Sequence, residues 1–234
     1  MNEETEKGTE KSTPKGAEEE RSRILEFGSV VTKNGVKILS LVIAGQIEGH
    51  LALQAPAKST KYEHIIPQLI AAEEDAGIDG VLILLNTVGG DVEAGLAMAE
   101  LIRGMKKPCV SLVLGGGHSI GIPLAVAAKE SFIAPSATMT VHPVRINGLV
   151  LGVPQSFEYL RRMQERVSEF IVENSHISRR ELDRLMDGRA DMATDIGSIL
   201  EGREAAEVGL IDRVGCLSDA LDALKAQIKN VKKE

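Results

Sequence analysis

Short apolar runs alternate with amphipathic segments through the first half of the chain. The runs VKILSLVIAG, DGVLILLN and CVSLVLGGG are continuously apolar, as strands buried on both faces are. Between them, residues 63–77 and 91–107 carry apolar side chains at three- and four-residue spacing, which is typical of helices. This alternation predicts βαβ units, a parallel sheet and therefore an α/β fold.

The pattern continues in shorter pieces after the third run. It predicts a helix over residues 121–130 and short strands around residues 131–135 and 137–143. Near the end of the chain, a helix turns at Gly209 into a short strand, and a last helix covers residues 217–230. The sequence contains no internal repeat.

One helix in the second half is longer than the average globular helix. It covers residues 154–175, and its apolar stripe comprises residues 157, 160, 163, 167, 170 and 171. Such a helix either projects towards a neighbouring subunit or lies on its own core. The stripe alone does not separate these alternatives.

The first 23 residues have a different composition from the rest. They consist mostly of Glu, Lys, Thr and Gly, with almost no apolar side chains. Such a segment cannot bury enough surface to offset the entropy of ordering it. We therefore expect a disordered charged tail over residues 1–23 and a single domain over residues 24–234.

Composition excludes several classes of function. A net charge of −7 and the lack of a basic stripe argue against a nucleic-acid or anionic-membrane surface. No apolar stretch approaches the roughly 20 residues of a membrane anchor, and the amino-terminal segment has no apolar signal core, so we expect a cytoplasmic protein. Cys109 and Cys216 lie far apart and are interpreted as reduced thiols, with no metal site and no cofactor.

The segment GGGHSIGIP contains the strongest candidate for chemistry. Its core GHSIG, residues 117–121, fits the G-x-S-x-G pattern and follows an apolar strand. A serine placed where a strand turns sharply into a helix exposes its hydroxyl and can act as a nucleophile. Ser119 is therefore the candidate nucleophile, although small Ser/Gly turns are also common as plain structure.

A second glycine cluster, NTVGGD at residues 86–91, follows a strand and opens a helix. Backbone N–H groups at such a position can stabilise a developing oxyanion. A phosphate site is the rival interpretation, but the segment has neither a P-loop lysine nor G-x-G-x-x-G. A simple tight turn without a functional role is the third interpretation.

A serine nucleophile needs a base, and His142 is the best-placed histidine. It ends the short strand ATMTVH, and the carboxyl ends of parallel strands are where α/β sheets assemble their sites. His118 adjoins the serine in sequence and is poorly placed to take its proton. The other histidines, which lie elsewhere along the chain, are His50, His64 and His176.

An acid is then required to orient the imidazole. Asp187, Asp191 and Asp195 all lie in the segment MDGRADMATDIGS. Nothing physical in the sequence chooses decisively among them.

Taken together, these motifs resemble the Clp protease proteolytic-subunit (ClpP) family, which has the ClpP/crotonase fold. LLNTVGGDVEAGLAMAELIR, LGGGHSIGIPLAVA, ATMTVHP, a long helix and EGREAAEVGLID occur in the family's order over roughly residues 36–214. The ending TDIGSILEGREAAEVGLIDRVG, followed by Cys216 in place of a glycine, is closer to the TepA-type branch. The resemblance implies repeated ββα units and a projecting long helix in a single domain.

The resemblance also implies roles for individual residues. Ser119 would be the nucleophile, His142 the general base, and the N–H groups of Gly90 and Ile120 the oxyanion donors. Asp195 is our choice for the acid, with Asp191 second. Members of the family are peptidases whose core needs no ATP, and their triad lies inside a ring-shaped homo-oligomer. The resemblance also extends to residues 155–174, which match the handle helix that interlocks two rings.

Departures from the family pattern affect the expected partner. The family's SPGG is TVGG here, and Leu82 and Leu84 stand where typical members use aromatic side chains to dock an unfoldase. The amino-terminal segment also lacks the apolar loop that typical members present to their ATPase. We therefore expect a serine endopeptidase that hydrolyses peptides or unfolded proteins without a typical Clp unfoldase.

Three other functions compete with this one. An acyl-CoA enzyme of the crotonase type would share the fold, but it predicts Glu catalysts that the Ser119 segment lacks. A non-catalytic scaffold with a decayed triad is favoured solely by the shortage of a clear acid. A membrane-associated Ser–Lys peptidase would need a lysine that has no match here.

Overall fold

The structure of the chain is a computed structural model. It describes residues 29–31, 35–51, 53–54, 56–146, 152–188 and 197–232.

A nine-stranded sheet forms the centre of the fold. The strands are β1 (Ser29–Val31), β2 (Lys37–Glu48), β3 (Ser59–Lys61), β4 (Gly80–Gly90), β5 (Cys109–Gly117), β6 (Glu130–Ile133), β7 (Thr138–Val141), β8 (Ser198–Glu201) and β9 (Arg213–Val214). The main path is β1-β2-β4-β5-β6-β9, in which all neighbours except β1 and β2 are parallel. Strand β3 pairs with β2, while β7 pairs with β5 and, antiparallel, with β8.

Helices cover both faces of this sheet. They are α1 (Tyr62–Glu74), α2 (Val92–Gly104), α3 (Gly121–Val126), α4 (Val153–Glu173), α5 (Arg179–Met186), α6 (Gly202–Glu207) and α7 (Leu217–Val231). The larger core cluster joins one face of the sheet to residues of α1 to α6. On the other face, Ala220, Leu224 and Ile228 of α7 pack on apolar side chains of β2, β4, β5 and β6.

The strand–helix alternation predicted from sequence is confirmed. The three apolar runs form β2, β4 and β5, which are parallel neighbours in the sheet. Their carboxyl ends therefore meet at one edge, where β4 leads into α2 and β5 leads into α3. The turn predicted at Gly209 is also present, with φ +77°.

The long helix α4 combines both arrangements that its stripe allowed. Its second half is on the core, with Met163, Val167, Phe170 and Ile171 buried. Its first half projects into solvent, and the Phe157 side chain is 68% exposed. One apolar stripe is thus divided between the core and a free surface.

Close packing between α2 and the turn before α3 depends on a glycine. A Cβ added to Gly95 would lie 2.3 Å from Ile120 Cγ1, and Ile120 is buried. Gly104 lies in the same helix, and a Cβ added there would meet nothing within 4 Å.

We predict that Gly95→Ala destabilises the fold and that Gly104→Ala does not. The Gly95 substitution should cost about 1–3 kcal/mol through overpacking, whereas Gly104→Ala should gain up to about 1 kcal/mol of helix propensity. Urea unfolding at one protein concentration measures both. Equal effects of the two substitutions would contradict the packing argument.

Candidate active site

Ser119 occupies a strained turn between β5 and α3. Its φ is +57°, and among the described residues it is the sole non-glycine with positive φ. Its N–H donates to Thr140 O at 2.9 Å, and its carbonyl accepts from Ile122 N–H at 2.9 Å. A left-handed serine at a strand-to-helix turn is the geometry of a nucleophile elbow, and strain of this kind concentrates at functional sites.

Glycines allow β4 and this turn to approach each other. A Cβ added to Gly89 would lie 2.7 Å from Ser119 Cβ, and one added to Gly121 would lie 2.7 Å from Thr87 Cγ2. Gly89 also has φ +86°, a conformation that side chains disfavour. Close approach therefore requires glycine at both residues, and backbone conformation adds a second reason at Gly89.

The two candidate oxyanion donors, the N–H groups of Gly90 and Ile120, lie beside Ser119. The next N–H after Gly90, that of Asp91, donates to Ile47 O of β2. Gly90 itself is packed against β2, since a Cβ added to it would lie 2.2 Å from Ile47 O. The Ile120 N–H has no backbone acceptor within the described part of the chain.

His142 follows β7 directly and is half-buried. Its Nδ1 is 2.7 Å from Pro143 O. A carbonyl oxygen can only accept a hydrogen bond, so Nδ1 is the nitrogen that donates and carries the proton. In the neutral ring this leaves Nε2 as the basic nitrogen.

One cleft of about 110 Å³ brings these residues together. Its walls include Gly90, Ser119, Ile120 and His142, which the sequence singled out separately. The apolar part of the wall comprises Val92, Ile122, Val141, Val144, Val167, Ile171 and Met186. The cleft therefore places a serine, a histidine and two peptide N–H groups beside an apolar surface.

The candidate acids are less well defined. Asp187 is exposed at the end of α5, and it is not among the residues that line the cleft. Asp191 and Asp195 lie outside the described residues. The two ends of that segment are close together, since Gly197 N–H donates to Gly188 O at 2.7 Å.

Thr87 joins the parts of the site and was not singled out by sequence as a separate residue. It is fully buried, and its hydroxyl donates to Gly45 O at 2.6 Å and accepts from Gly89 N–H at 3.1 Å. Its carbonyl accepts from His118 N–H at 3.2 Å. Thr87 thus connects β2, the glycine pair and the serine turn.

Three of the four remaining histidines have other contacts, and His64 is exposed on α1. His118 Nδ1 is hydrogen-bonded to Thr140 Oγ1 at 2.8 Å. His50 Nδ1 lies 3.8 Å from a carboxylate oxygen of Asp91, and His176 Nε2 lies 3.3 Å from one of Asp212. These contacts leave His142 as the histidine that shares the cleft with Ser119.

The described residues contain no group of three or more His, Cys, Asp or Glu side chains that could hold a metal ion. Over the same residues, no helix has the length and apolar character needed to cross a membrane.

The Clp protease family matches this chain over residues 37–216. The chain belongs to the Clp protease family. The matched residues include every strand of the nine-stranded sheet except β1, and they include all residues that line the cleft. The family and the α/β fold inferred from the sequence motifs are therefore confirmed.

Individual relatives agree with this assignment. The translocation-enhancing protein TepA of Halalkalibacterium halodurans is 57% identical over 189 residues, which cover 81% of this chain and 74% of that protein. The ATP-dependent Clp protease proteolytic subunit of Lactococcus lactis subsp. cremoris is 25% identical over 171 residues, which cover 70% of this chain and 81% of that protein. A mutant ClpP1 from Listeria monocytogenes has the same fold, with a TM-score of 0.61 and 23% identity, and the match covers 78% of this chain and 94% of that one.

Burial lowers the pKa of His118 below its usual value, and the nearby charge of His142 lowers it further. The folded protein therefore binds fewer protons at this site than the unfolded chain in the interval below about pH 6.5. Unfolding free energy should rise with pH through that interval, because the unfolded state is the one that protonates.

We predict that His118→Asn weakens this pH dependence. Urea unfolding at a series of pH values between about 5 and 7 measures the slope. His64→Asn removes an exposed histidine and is the matched control, which should keep the wild-type slope. A slope that His118→Asn leaves unchanged would contradict the prediction.

Proposed function

We propose that the chain is a serine endopeptidase that hydrolyses peptides or unfolded proteins without consuming ATP. The observation that carries this proposal is the strained turn at Ser119, which shares one cleft with His142. Membership of the Clp protease family supports the same reaction. The apolar wall of the cleft suits an apolar side chain of the substrate next to the scissile bond.

The reaction would proceed by acyl transfer. Ser119 Oγ attacks the peptide carbonyl carbon while His142 Nε2 takes the hydroxyl proton. The tetrahedral intermediate collapses, the C–N bond breaks, and Nε2 returns the proton to the leaving amine. Water, deprotonated by the same nitrogen, then hydrolyses the acyl-enzyme and restores the Ser119 hydroxyl.

The N–H groups of Gly90 and Ile120 would stabilise the oxyanion. The place of Gly90 and Ile120 in the cleft wall with Ser119, and the lack of a backbone acceptor for Ile120 N–H in the described residues, support this role. Donors fixed in advance need no reorganisation as charge develops on the substrate oxygen.

Asp195 is our candidate for the acid that orients His142, and its carboxylate would share the Nδ1–H with Pro143 O, which lies 2.7 Å from Nδ1. A Cβ added to Gly197 would lie 2.8 Å from His142 Cβ, so the chain passes directly beside the base. Asp195 precedes Gly197 by two residues, and two peptide units span at most about 7–8 Å. Asp191 is six residues from Gly197 and stays the second choice.

A ring-shaped homo-oligomer would enclose this site. The projecting first half of α4 exposes Val153, Phe157 and Tyr159, which form an apolar surface that a second subunit can cover. This surface belongs to the helix at residues 155–174, which resembles the family's handle helix.

Independence from an unfoldase is supported by the two leucines of β4. Leu82 is 3% exposed because it lies beneath α7, and Leu84 is partly buried against the same cluster. The apolar side chains that remain exposed farther along β2 and β5 are Val42 and Leu114, and neither is aromatic.

We predict that a fluorophosphonate probe labels Ser119 and that short fluorogenic peptides are cleaved without nucleotide. Ser119→Ala should abolish both, and His142→Ala should slow both by about 10²–10⁴-fold because the general base is lost. Ser111→Ala, which removes a buried hydroxyl from β5, the strand that leads to Ser119, is the matched control and should still be labelled. Labelling that persists in Ser119→Ala would contradict the proposal.

A separate prediction concerns the acid. Asp195→Asn should lower kcat by about 10²–10⁴-fold, because an amide no longer orients and stabilises the imidazolium. Asp187→Asn should keep wild-type activity, since this carboxyl is exposed and lies away from the cleft wall. A loss seen with Asp191→Asn instead would transfer the role to Asp191.

A further inference from the structure

Strand β7 has few attachments to the strand that leads to Ser119. The register between β5 and β7 contains a single pair, Gly116 with Thr138, although β7 pairs along its length with β8. Since His142 follows β7 directly, the separation between His142 and Ser119 depends on how β7 is held against β5.

Thr140 provides two further links at this junction. Its carbonyl accepts from Ser119 N–H at 2.9 Å, and its hydroxyl is hydrogen-bonded to His118 Nδ1 at 2.8 Å. Side chains alternate along a strand, so the Thr140 side chain lies on the face opposite to Met139 and Val141, which are buried. Thr140 is therefore held through both its backbone and its side chain, two residues before the base.

The backbone leaves room for the imidazole of His118. A Cβ added to Gly116 would lie 2.6 Å from His118 Nε2, so the ring occupies space that only a glycine leaves open. The same glycine forms the pair with Thr138. The middle glycine of the GGG run thus serves both the strand pairing and the position of the ring.

We propose that His118 is a positioning residue, which fixes β7 and with it His142 against the Ser119 turn through its hydrogen bond with Thr140. It does not exchange a proton with substrate. Its effect on catalysis passes through the distance between the nucleophile and the base, and in this respect the inference rests on the proposed peptidase function.

The test uses four single variants of the full chain at residues 118 and 140, the double variant that combines His118→Ala with Thr140→Val, and one control variant. His118→Ala and Thr140→Val remove the hydrogen bond, whereas His118→Asn and Thr140→Ser keep a polar atom or a hydroxyl close to its place. Peptide hydrolysis gives kcat and KM separately. Hydrogen exchange over residues 138–142 reports how firmly β7 is held, whether or not the protein is active.

His118→Ala and Thr140→Val should each lower kcat by about tenfold or more, as loss of a supporting hydrogen bond does. KM should change by less than about twofold, because the apolar wall of the cleft is untouched. His118→Asn and Thr140→Ser should keep most of the wild-type kcat. The variant that combines His118→Ala with Thr140→Val should be no slower than the slower single variant, since both substitutions break the same hydrogen bond.

Thr60→Val is the structural control. The Thr60 hydroxyl also bridges two strands, donating to Ala44 O at 2.8 Å, but it is not part of the cleft. We expect this substitution to lower thermal stability while leaving kcat and the exchange over residues 138–142 as in the wild type.

Two results would overturn the inference: wild-type kcat in His118→Ala and Thr140→Val, or losses that multiply in the double variant. Failure of the proposed function is distinguishable, because the wild type would then neither hydrolyse peptide nor be labelled. In that case faster exchange over residues 138–142 in both variants, but not in Thr60→Val, would still support the link. Unchanged exchange would overturn it.

Discussion

The left-handed conformation of Ser119 is the constraint on which the rest of the site depends. A non-glycine residue at φ +57° costs of the order of 1–3 kcal/mol, so the surrounding structure must hold it in place. The hydrogen bond from its N–H to Thr140 O and the helical turn that begins with its carbonyl do so directly. This conformation also requires glycine at residues 89 and 121. A side chain at residue 89 would collide with Ser119, and one at residue 121 would collide with Thr87.

The parallel sheet explains why the chemistry collects at this turn. Strands β4 and β5 end side by side, and each leads into a helix across a glycine-rich connection. Buried Thr87 ties these connections together, and Thr140 ties the second one to the strand that precedes His142. Serine, histidine and peptide N–H groups thus reach one cleft from three different strands, as is usual for α/β enzymes. Membership of the Clp protease family fits this arrangement.

Sequence predicted most of the fold because its signals are local. Continuous apolar runs gave β2, β4 and β5, and helical spacing gave α1, α2, α4 and α7. The elements β3, β8 and α5 were not predicted. Strands β3 and β8 have three and four residues and form by pairing with β2 and β7, and α5 has eight residues, too few for a clear helical period. The apolar stripe of α4 predicted a helix but not which part of it is buried. Phe157 and Phe170 both belong to the stripe, yet Phe157 is exposed to solvent and Phe170 is buried in the core.

The candidate site was predictable to a different degree for each residue. The G-x-S-x-G pattern identified Ser119, and the strand end identified His142, because both positions follow from backbone geometry. Thr87, Thr140 and the role of His118 were missed, since a threonine in a strand has no sequence signal for the long-range hydrogen bond it makes. The three aspartates could not be separated because they lie within nine residues of one another, and only Asp187 lies in the described part of the chain, exposed at the end of α5.

The convergence of Ser119, His142 and the two N–H groups on one reacting carbonyl is the central claim. A peptidyl chloromethyl ketone tests it in one reaction, because its carbonyl is attacked by the serine while its methylene alkylates the base. Intact-mass and peptide mass spectrometry should find one adduct per chain, on His142, formed with loss of chloride. The hemiketal with Ser119 reverts on denaturation, so the part played by the serine is read from the rate, which should be greatly slowed in Ser119→Ala. An adduct on another residue, or alkylation of His142 at the same rate without Ser119, would contradict it.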